Sequence, residues 1–152
     1  MAGPATESSL MNTATARFDA ALPAPLPFDD AGRVLLFAIR RMASGGLDDA
    51  HAAHILFIRF RMAYRRPLVL LRALMLELSR TAQQPIQVAP CCCPRMTAAE
   101  ATLIDTVRIA ILDPHTAHDM VSDIAGTSDC LGALTTAQAV SEAFADGGLP
   151  LS

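Results

Sequence analysis

Lysine and tryptophan are absent from this chain of 152 residues, and charged side chains of any kind are scarce. Only 18% of the residues are charged, and the aromatic side chains amount to six Phe and one Tyr. Aliphatic side chains and Met must therefore fill most of the core. The scarcity of charge also leaves more apolar surface than one small core hides, so either the helices are buried all round or one face is covered by another subunit, a protein partner or a membrane surface. Self-association is the leading expectation.

Sequence motifs of the common enzyme classes are also absent. There is no glycine-rich phosphate loop, no G-x-S-x-G nucleophile elbow and no dinucleotide-binding fingerprint. The glycine pairs Gly45-Gly46 and Gly147-Gly148 follow helical patterns and are interpreted as helix stops. The absence of these motifs disfavours an enzyme but does not exclude one. We assign no catalytic residue.

Neither a membrane span nor a secretory signal is apparent. The most apolar region, residues 50–80, is interrupted by several arginines, whereas a spanning helix needs roughly 18 or more apolar residues with few charges. Residues 1–18 lack the basic start and the apolar centre of a secretory signal. We therefore expect a cytoplasmic protein, whose four cysteines are thiols or metal ligands rather than structural disulfides.

Helical periodicity begins at Asp29 and continues to the end of the chain. Capping residues, first-turn prolines and glycine stops predict six helices, at about residues 29–46, 50–64, 67–80, 97–112, 114–125 and 135–148. Alternating prolines near the N-terminus favour extended backbone instead. The predicted fold class is all-α: a compact single-domain bundle of about six helices over residues 29–152, with a disordered to extended Pro-rich arm over residues 1–28.

Local patterns add detail to this fold. Asp48 is predicted to cap the second helix, and Thr97 followed by Glu100 is a capping box for the fourth. Arg40 belongs to the basic final turn of the first helix, which suits the negative end of the helix dipole. The third helix is apolar almost all round, so residues 68–78 are predicted to be the most buried element.

Charge is divided unevenly along the chain. Residues 33–95 hold ten Arg against three acidic residues, a net charge of +7, and residues 96–152 hold one Arg against eight acidic residues, a net charge of −7. Either the two halves pack against each other, or the Arg cluster binds an anionic ligand or an anionic membrane surface. Nucleic acid is disfavoured, because the helix that carries most of the Arg residues is also the most apolar.

Three consecutive cysteines, Cys91, Cys92 and Cys93, stand between two prolines and provide the strongest chemical pattern. Adjacent cysteines project in different directions, so no more than two would reach one metal ion, with Cys130 or histidines completing the ligand set. Alternatively, Cys93 lies just ahead of a helix N-terminus and close to Arg95, and both favour a reactive thiolate. A third interpretation is that the cysteines are small buried apolar side chains.

All four histidines occur in two H-x-x-H pairs, His51 with His54 and His115 with His118. Residues i and i+3 share a helix face, so each pair could present two imidazoles to one ion, and zinc or iron suits that donor set. Neutral, hydrogen-bonded histidines are the alternative, and a protein without any cofactor is equally compatible. The candidate metal ligands, not all at once, are Cys91, Cys92, Cys93, Cys130, His51, His54, His115 and His118.

A resemblance to a family of small uncharacterised bacterial proteins, a domain of unknown function, is carried by LLFAIRRMASGGLDDAHAAH, YRRPLVLLRALM, VAPCCCPRMTAAEA and LGALTTAQAVSEAFADGG. These segments cover most of the chain from about Phe18 onward, and the triple-cysteine block is the most specific. The family has no assigned activity. The resemblance therefore implies a compact single-domain bacterial protein and neither a substrate nor catalytic residues.

Two functional hypotheses remain open. The first is a small cytosolic binding or regulatory module in which the Cys91–Cys93 loop is a thiol-based metal site or a redox-responsive site. The second is a structural helical oligomer or adaptor, whose Arg-rich half binds a protein, an anionic ligand or a membrane surface.

Overall fold

Six α-helices and one very short sheet make up the part of the chain that the computed structural model describes, residues 22–152. The helices are α1 (Asp30–Gly45), α2 (Ala50–Phe60), α3 (Arg65–Thr81), α4 (Ala98–Ile109), α5 (Pro114–Ala125) and α6 (Leu131–Asp146). A single turn of 3-10 helix, Arg61–Ala63, separates α2 from α3. The prediction of an all-α fold with six helices is confirmed.

Two helices differ from their predicted ranges. The second ends at Phe60 rather than at about residue 64, because Arg61 has a φ of 53° that no α-helix accommodates. The sixth begins at Leu131, four residues earlier than predicted, with Cys130 directly before it. By contrast, the stop at Gly46 is confirmed, with a φ of 92°.

The cap of α2 is Asp49, so the prediction of Asp48 is wrong. The Asp49 side chain accepts from the backbone N–H groups of His51 at 2.9 Å and Ala52 at 3.0 Å. A capping side chain must belong to the residue directly before the first helical residue, which here is Ala50. Asp48 instead lies 3.6 Å from Arg72 in an exposed ion pair.

The sheet joins the N-terminal segment to the loop before α4. Strand β1 (Ala24–Pro25) pairs antiparallel with β2 (Arg95–Met96), with Ala24 opposite Met96. Arg95 donates from Nε to the Leu22 carbonyl and from Nη2 to the Pro23 carbonyl, at 2.7 Å each. Residues 1–21 of the predicted arm lie outside the described residues, and the boundary between residues 28 and 29 stays a prediction.

The helices pack chiefly as three pairs, α1 with α2, α3 with α6, and α4 with α5. The prediction that residues 68–78 form the most buried element is wrong. Helix α1 buries nine of its 16 residues and α3 buries five of its 17. Since α3 packs mainly through one face, its opposite face reaches solvent, and Val69 is 60% exposed.

Ion pairs join the basic half of the chain to the acidic half. Arg40 pairs with Glu100, and Arg66 pairs with Asp146 at the opposite end of the chain. This pairing supports the interpretation that the two halves pack together. Four other arginines form no ion pair within residues 22–152: Arg33, Arg61, Arg65 and Arg80. No helix of these described residues is long and apolar enough to cross a bilayer.

Candidate thiol site at the cysteine turn

The triple cysteine forms an exposed turn on the surface of the bundle. The backbone N–H of Cys93 donates to the carbonyl of Pro90 at 3.0 Å, which places Cys91 and Cys92 at the corner. Both corner residues are exposed, and Cys93 is half-buried. The interpretation as buried apolar side chains is therefore wrong for Cys91 and Cys92, although it fits Cys130, which is 1% exposed.

A buried ion pair beneath the turn holds it against α1. Arg40 is 3% exposed and donates from Nε to Oε1 of Glu100 at 2.8 Å and from Nη2 to Oε2 at 2.9 Å. The same guanidinium donates to the carbonyl of Cys93 at 2.9 Å and to that of Arg95 at 2.7 Å. Arg40 therefore connects the backbone of the cysteine turn to the core, rather than lying at the surface near the end of α1.

Glu100 completes this hub from the N-terminal turn of α4. Its carboxylate accepts from the backbone N–H groups of Ala89 and Thr97, at 2.9 Å each. The Thr97 hydroxyl accepts from the N–H of Glu100 at 3.0 Å, so the predicted capping box is confirmed. The side chains of Thr97 and Glu100 accept each other's backbone N–H groups at the start of α4. The capping residues of this helix are therefore Thr97 and Glu100, and not the turn cysteines.

Glu100 and the turn cysteines both affect the pKa of Arg40. Its hydrogen bond to Glu100 raises the pKa of the Arg40 guanidinium above its ordinary value, against the opposing effect of burial. Cys93 and Cys91 raise it further by smaller amounts. The sequence pointed to Arg95 as the cation near Cys93, whereas Arg40 is the arginine that holds the turn.

A cleft of about 300 Å³ opens beside the turn. Cys91 and Cys93 line it together with Arg33, Arg40 and Phe37, and Cys92 does not. Residues 91 and 93 therefore both lie on the side of the turn that faces α1. No carboxylate among the described residues lines the cleft.

Arg41 links the turn to the start of α2. It donates to both carboxylate oxygens of Asp49, at 3.2 and 2.8 Å, and to Nδ1 of His51 at 3.1 Å. The Asp49 hydrogen bond raises the pKa of Arg41, with a smaller contribution from Cys91. Arg41 in turn is the main cause that lowers the pKa of Asp49 to about 2. His51 therefore accepts a hydrogen bond at Nδ1, one of the two ring nitrogens through which an imidazole can bind a metal ion.

Cys130 belongs to a different group of residues, at the start of α6. Its Sγ lies 3.0 Å from the Ser122 hydroxyl and 3.8 Å from the Ser128 carbonyl. The His118 ring also contacts this group, with Nε2 3.2 Å from the Ser128 carbonyl oxygen. His54 and His115 are exposed.

These positions bear on the predicted metal ligands. Within residues 22–152, no three His, Cys, Asp or Glu side chains lie close enough together to hold one metal ion. Cys130 with His118 and Cys91 with Cys93 form two separate groups, and His51 approaches the turn only through Arg41. The eight candidate ligands do not form a single site in one copy of the described chain.

Comparison with protein families places the chain in a known group. The model of the DUF6628 family, a family of unknown function, matches residues 13–147. The chain belongs to the DUF6628 family. The match includes the cysteine turn, both histidine pairs and the Arg40–Glu100 hub, and the predicted resemblance to a family of unknown function is confirmed. No curated protein and no solved structure is significantly similar to the chain.

Arg40 and Arg33 are the residues of this site that the sequence did not single out. The sequence placed Arg40 in the basic last turn of the first helix, with no indication of a buried partner. Arg33 belongs to no motif that the sequence analysis recognised. Glu100 was recognised for its capping role, but nothing local indicates that its carboxylate also binds an arginine from another helix. The only hint was the opposite charge of the two halves of the chain.

Proposed function

We propose that this DUF6628 protein is a thiol-based redox-responsive module in which Cys91 and Cys93 form a reversible disulfide. The observation that carries the proposal is an exposed turn in which Cys91 and Cys93 both line one cleft and whose backbone is held to the core by the buried Arg40 guanidinium. Oxidation of the turn would thereby alter the contacts between α1 and α4, because Arg40 binds both the Cys93 carbonyl and Glu100.

Chain geometry favours residues 91 and 93 over any adjacent pair. Consecutive Cα atoms across a trans peptide are about 3.8 Å apart, below the roughly 4.4–6.8 Å that ordinary disulfides span. Residues two apart in a turn fall inside that range. Cys92 also lies outside the cleft that the other two share.

The chemistry requires a disulfide oxidant of low molecular weight. One thiolate of the pair attacks a sulfur of the oxidant, forming a mixed disulfide and releasing one thiol of the reagent. The second cysteine then attacks the mixed disulfide, which releases the second reagent thiol and leaves a Cys91–Cys93 bond. Closing that bond alters the Pro90–Cys93 turn, whose Cys93 carbonyl accepts from Arg40.

Ligand number favours this redox mechanism over a metal site. A structural zinc site takes four ligands, and the described residues bring no three together in one copy. A metal ion at the turn would need thiols from a second copy.

Elemental analysis of anaerobically purified protein addresses this alternative, and a stoichiometric metal with protected turn thiols would contradict the redox proposal.

The proposal predicts one specific disulfide. After treatment with a low-molecular-weight disulfide, peptide mapping by mass spectrometry should find Cys91 joined to Cys93 in the wild type and in the variants Cys92→Ser and Cys130→Ser. The variants Cys91→Ser and Cys93→Ser should stop at a mixed disulfide. The proposal is wrong if the turn thiols stay unmodified until the protein unfolds, or if Cys92 takes part in the main disulfide.

A second candidate function, binding to an anionic membrane surface, is supported by the α2–α3 corner, defined as residues 57–69. Arg61 and Arg65 are exposed, and Met62 between them is 87% exposed. The φ of 53° at Arg61 costs about 1–3 kcal/mol in a residue other than Gly. Guanidinium groups beside exposed apolar side chains suit phosphate headgroups above an acyl layer.

Vesicle flotation tests the α2–α3 corner. The protein should float with vesicles that contain phosphatidylglycerol and not with pure phosphatidylcholine. The double variant Arg61→Gln/Arg65→Gln should bind at least about tenfold more weakly, since each arginine near the surface contributes about 1 kcal/mol. Arg33→Gln/Arg80→Gln removes the same charge elsewhere, and equal losses in both variants would refute a role for the corner.

A further inference from the structure

We infer that the cleft beside the cysteine turn selects disulfides that carry a carboxylate, and this inference rests on the proposed thiol function. The class of substrate is therefore a low-molecular-weight acidic disulfide, bound with its carboxylate at Arg33 and its sulfur at the Cys91–Cys93 pair.

Arg33 is the arginine of the cleft that forms no ion pair among the described residues. It is exposed on the first turns of α1, and its Nε donates to the carbonyl of Pro27 at 2.8 Å. Its Nη nitrogens make no hydrogen bond within residues 22–152, and it forms no ion pair there. The Pro27 contact holds the stem of the guanidinium while leaving its outer edge for a ligand, and a carboxylate matches that planar edge with two hydrogen bonds.

The neighbouring arginines are already paired. Arg40 binds the Glu100 carboxylate, and Arg41 binds the carboxylate of Asp49. Their charges are offset close by, so the excess positive charge of the cleft belongs to Arg33. A cationic ligand would be repelled by Arg33 and would find no carboxylate among the residues that line this cleft.

Size and lining restrict the ligand further. At about 300 Å³ the cleft lies at the lower end of small-molecule pockets, which span roughly 300–1,000 Å³. The 36% exposed ring of Phe37 supplies apolar surface beside the two thiols. A small molecule with an acidic end and a sulfur fits these features better than a protein segment does.

Selection acts on the first exchange step. When the disulfide binds with its carboxylate on Arg33, a thiolate of the pair attacks the nearer sulfur and displaces the other half as a thiol. The second cysteine then displaces the bound half. One molecule of the disulfide is thus reduced to two thiols while Cys91 and Cys93 are oxidised to one disulfide, a transfer of two electrons.

Exchange rates with three disulfides test the inference. The probes are glutathione disulfide, which is acidic, hydroxyethyl disulfide, which is neutral, and cystamine, which is cationic. The ratio of the rate with glutathione disulfide to that with cystamine, measured from thiol loss at low salt, should fall about tenfold from the wild type to Arg33→Gln. The hydroxyethyl disulfide rate should stay the same, and Arg80→Gln should behave as the wild type.

The outcomes separate this inference from the proposed function. An unchanged ratio in Arg33→Gln, or a wild type that reacts faster with cystamine than with glutathione disulfide, overturns carboxylate selection and leaves the disulfide proposal standing. An equal fall in Arg80→Gln attributes the preference to net charge and also overturns it. A wild type whose Cys91 and Cys93 react with none of the three probes overturns the proposed function itself.

Discussion

Replacing Glu100 by Gln should lower the free energy of unfolding by about 3–5 kcal/mol, the usual cost of breaking a buried ion pair from one side. Glu100 is 1% exposed and Arg40 is 3% exposed, so neither water nor another carboxylate can replace the lost charge. The Gln NH2 also replaces one carboxylate oxygen, so it faces one of the two backbone donors, the N–H of Ala89 or that of Thr97, together with an N–H of Arg40. Urea denaturation of the reduced protein measures the change.

Two further variants identify the cause of the loss. Asp146→Asn removes the exposed partner of Arg66 and should cost no more than about 1 kcal/mol. The double variant Arg40→Met/Glu100→Leu should not recover the wild-type stability, because two carbonyls and two N–H groups lose their partners with the pair. A Gln variant within about 1 kcal/mol of the wild type would show that the hub does not stabilise the fold.

The hub also connects stability to thiol chemistry. If Glu100→Gln releases Arg40, the carbonyl of Cys93 loses its donor and the turn becomes more accessible. The turn thiols of this variant should then react faster with a neutral disulfide than those of the wild type, while Cys130 remains protected in the folded state.

Substituting Leu74 by Ala in α3 should cost about 2–5 kcal/mol. Leu71 and Leu74 are both fully buried, and α3 packs mainly against α6. Removing three carbon atoms there leaves a cavity, because the leucine contacts side chains of a neighbouring helix that cannot fully collapse into the space. The same loss is expected for Leu71→Ala, again by urea denaturation.

Leu76→Ala is the matched control for both leucines. Leu76 lies on the same helix but is 41% exposed, so its truncation should cost only about 1 kcal/mol. Equal losses at residues 74 and 76 would contradict the orientation of α3 and would indicate that its outer face is covered by another molecule.

The helices and their ends were largely predictable, and the reasons are local. The capping box joins residues only three positions apart, and Gly46 ends α1 through its own backbone conformation. The error at Asp48 was a shift of one residue between two neighbouring aspartates with the same chemistry. The exception at Arg61 involves an arginine in a conformation that favours glycine, which no sequence pattern indicated.

The candidate site was predictable only in part. The turn cysteines were recognised by their repetition, but their exposure was not predicted, because burial as small apolar side chains was one of the interpretations that the sequence left open. Which cysteines share the cleft and which arginine holds the turn was not predictable, because both depend on how distant parts of the chain pack. Cys130 and the two H-x-x-H pairs were also candidate ligands in the sequence. The structure does not bring them together with the turn cysteines into one site in the described chain.

Periodicity, caps and stops thus define the positions of six helices through residues that are close together in the sequence. Arg40 and Glu100 are 60 residues apart, and their contact exists only because α1 and α4 meet beneath the cysteine turn. Twelve arginines look alike in the sequence. Among residues 22–152, packing alone buries one arginine, pairs others at the surface and leaves Arg33 in the cleft with Cys91 and Cys93, because burial and counter-charge depend on neighbours that are distant along the chain.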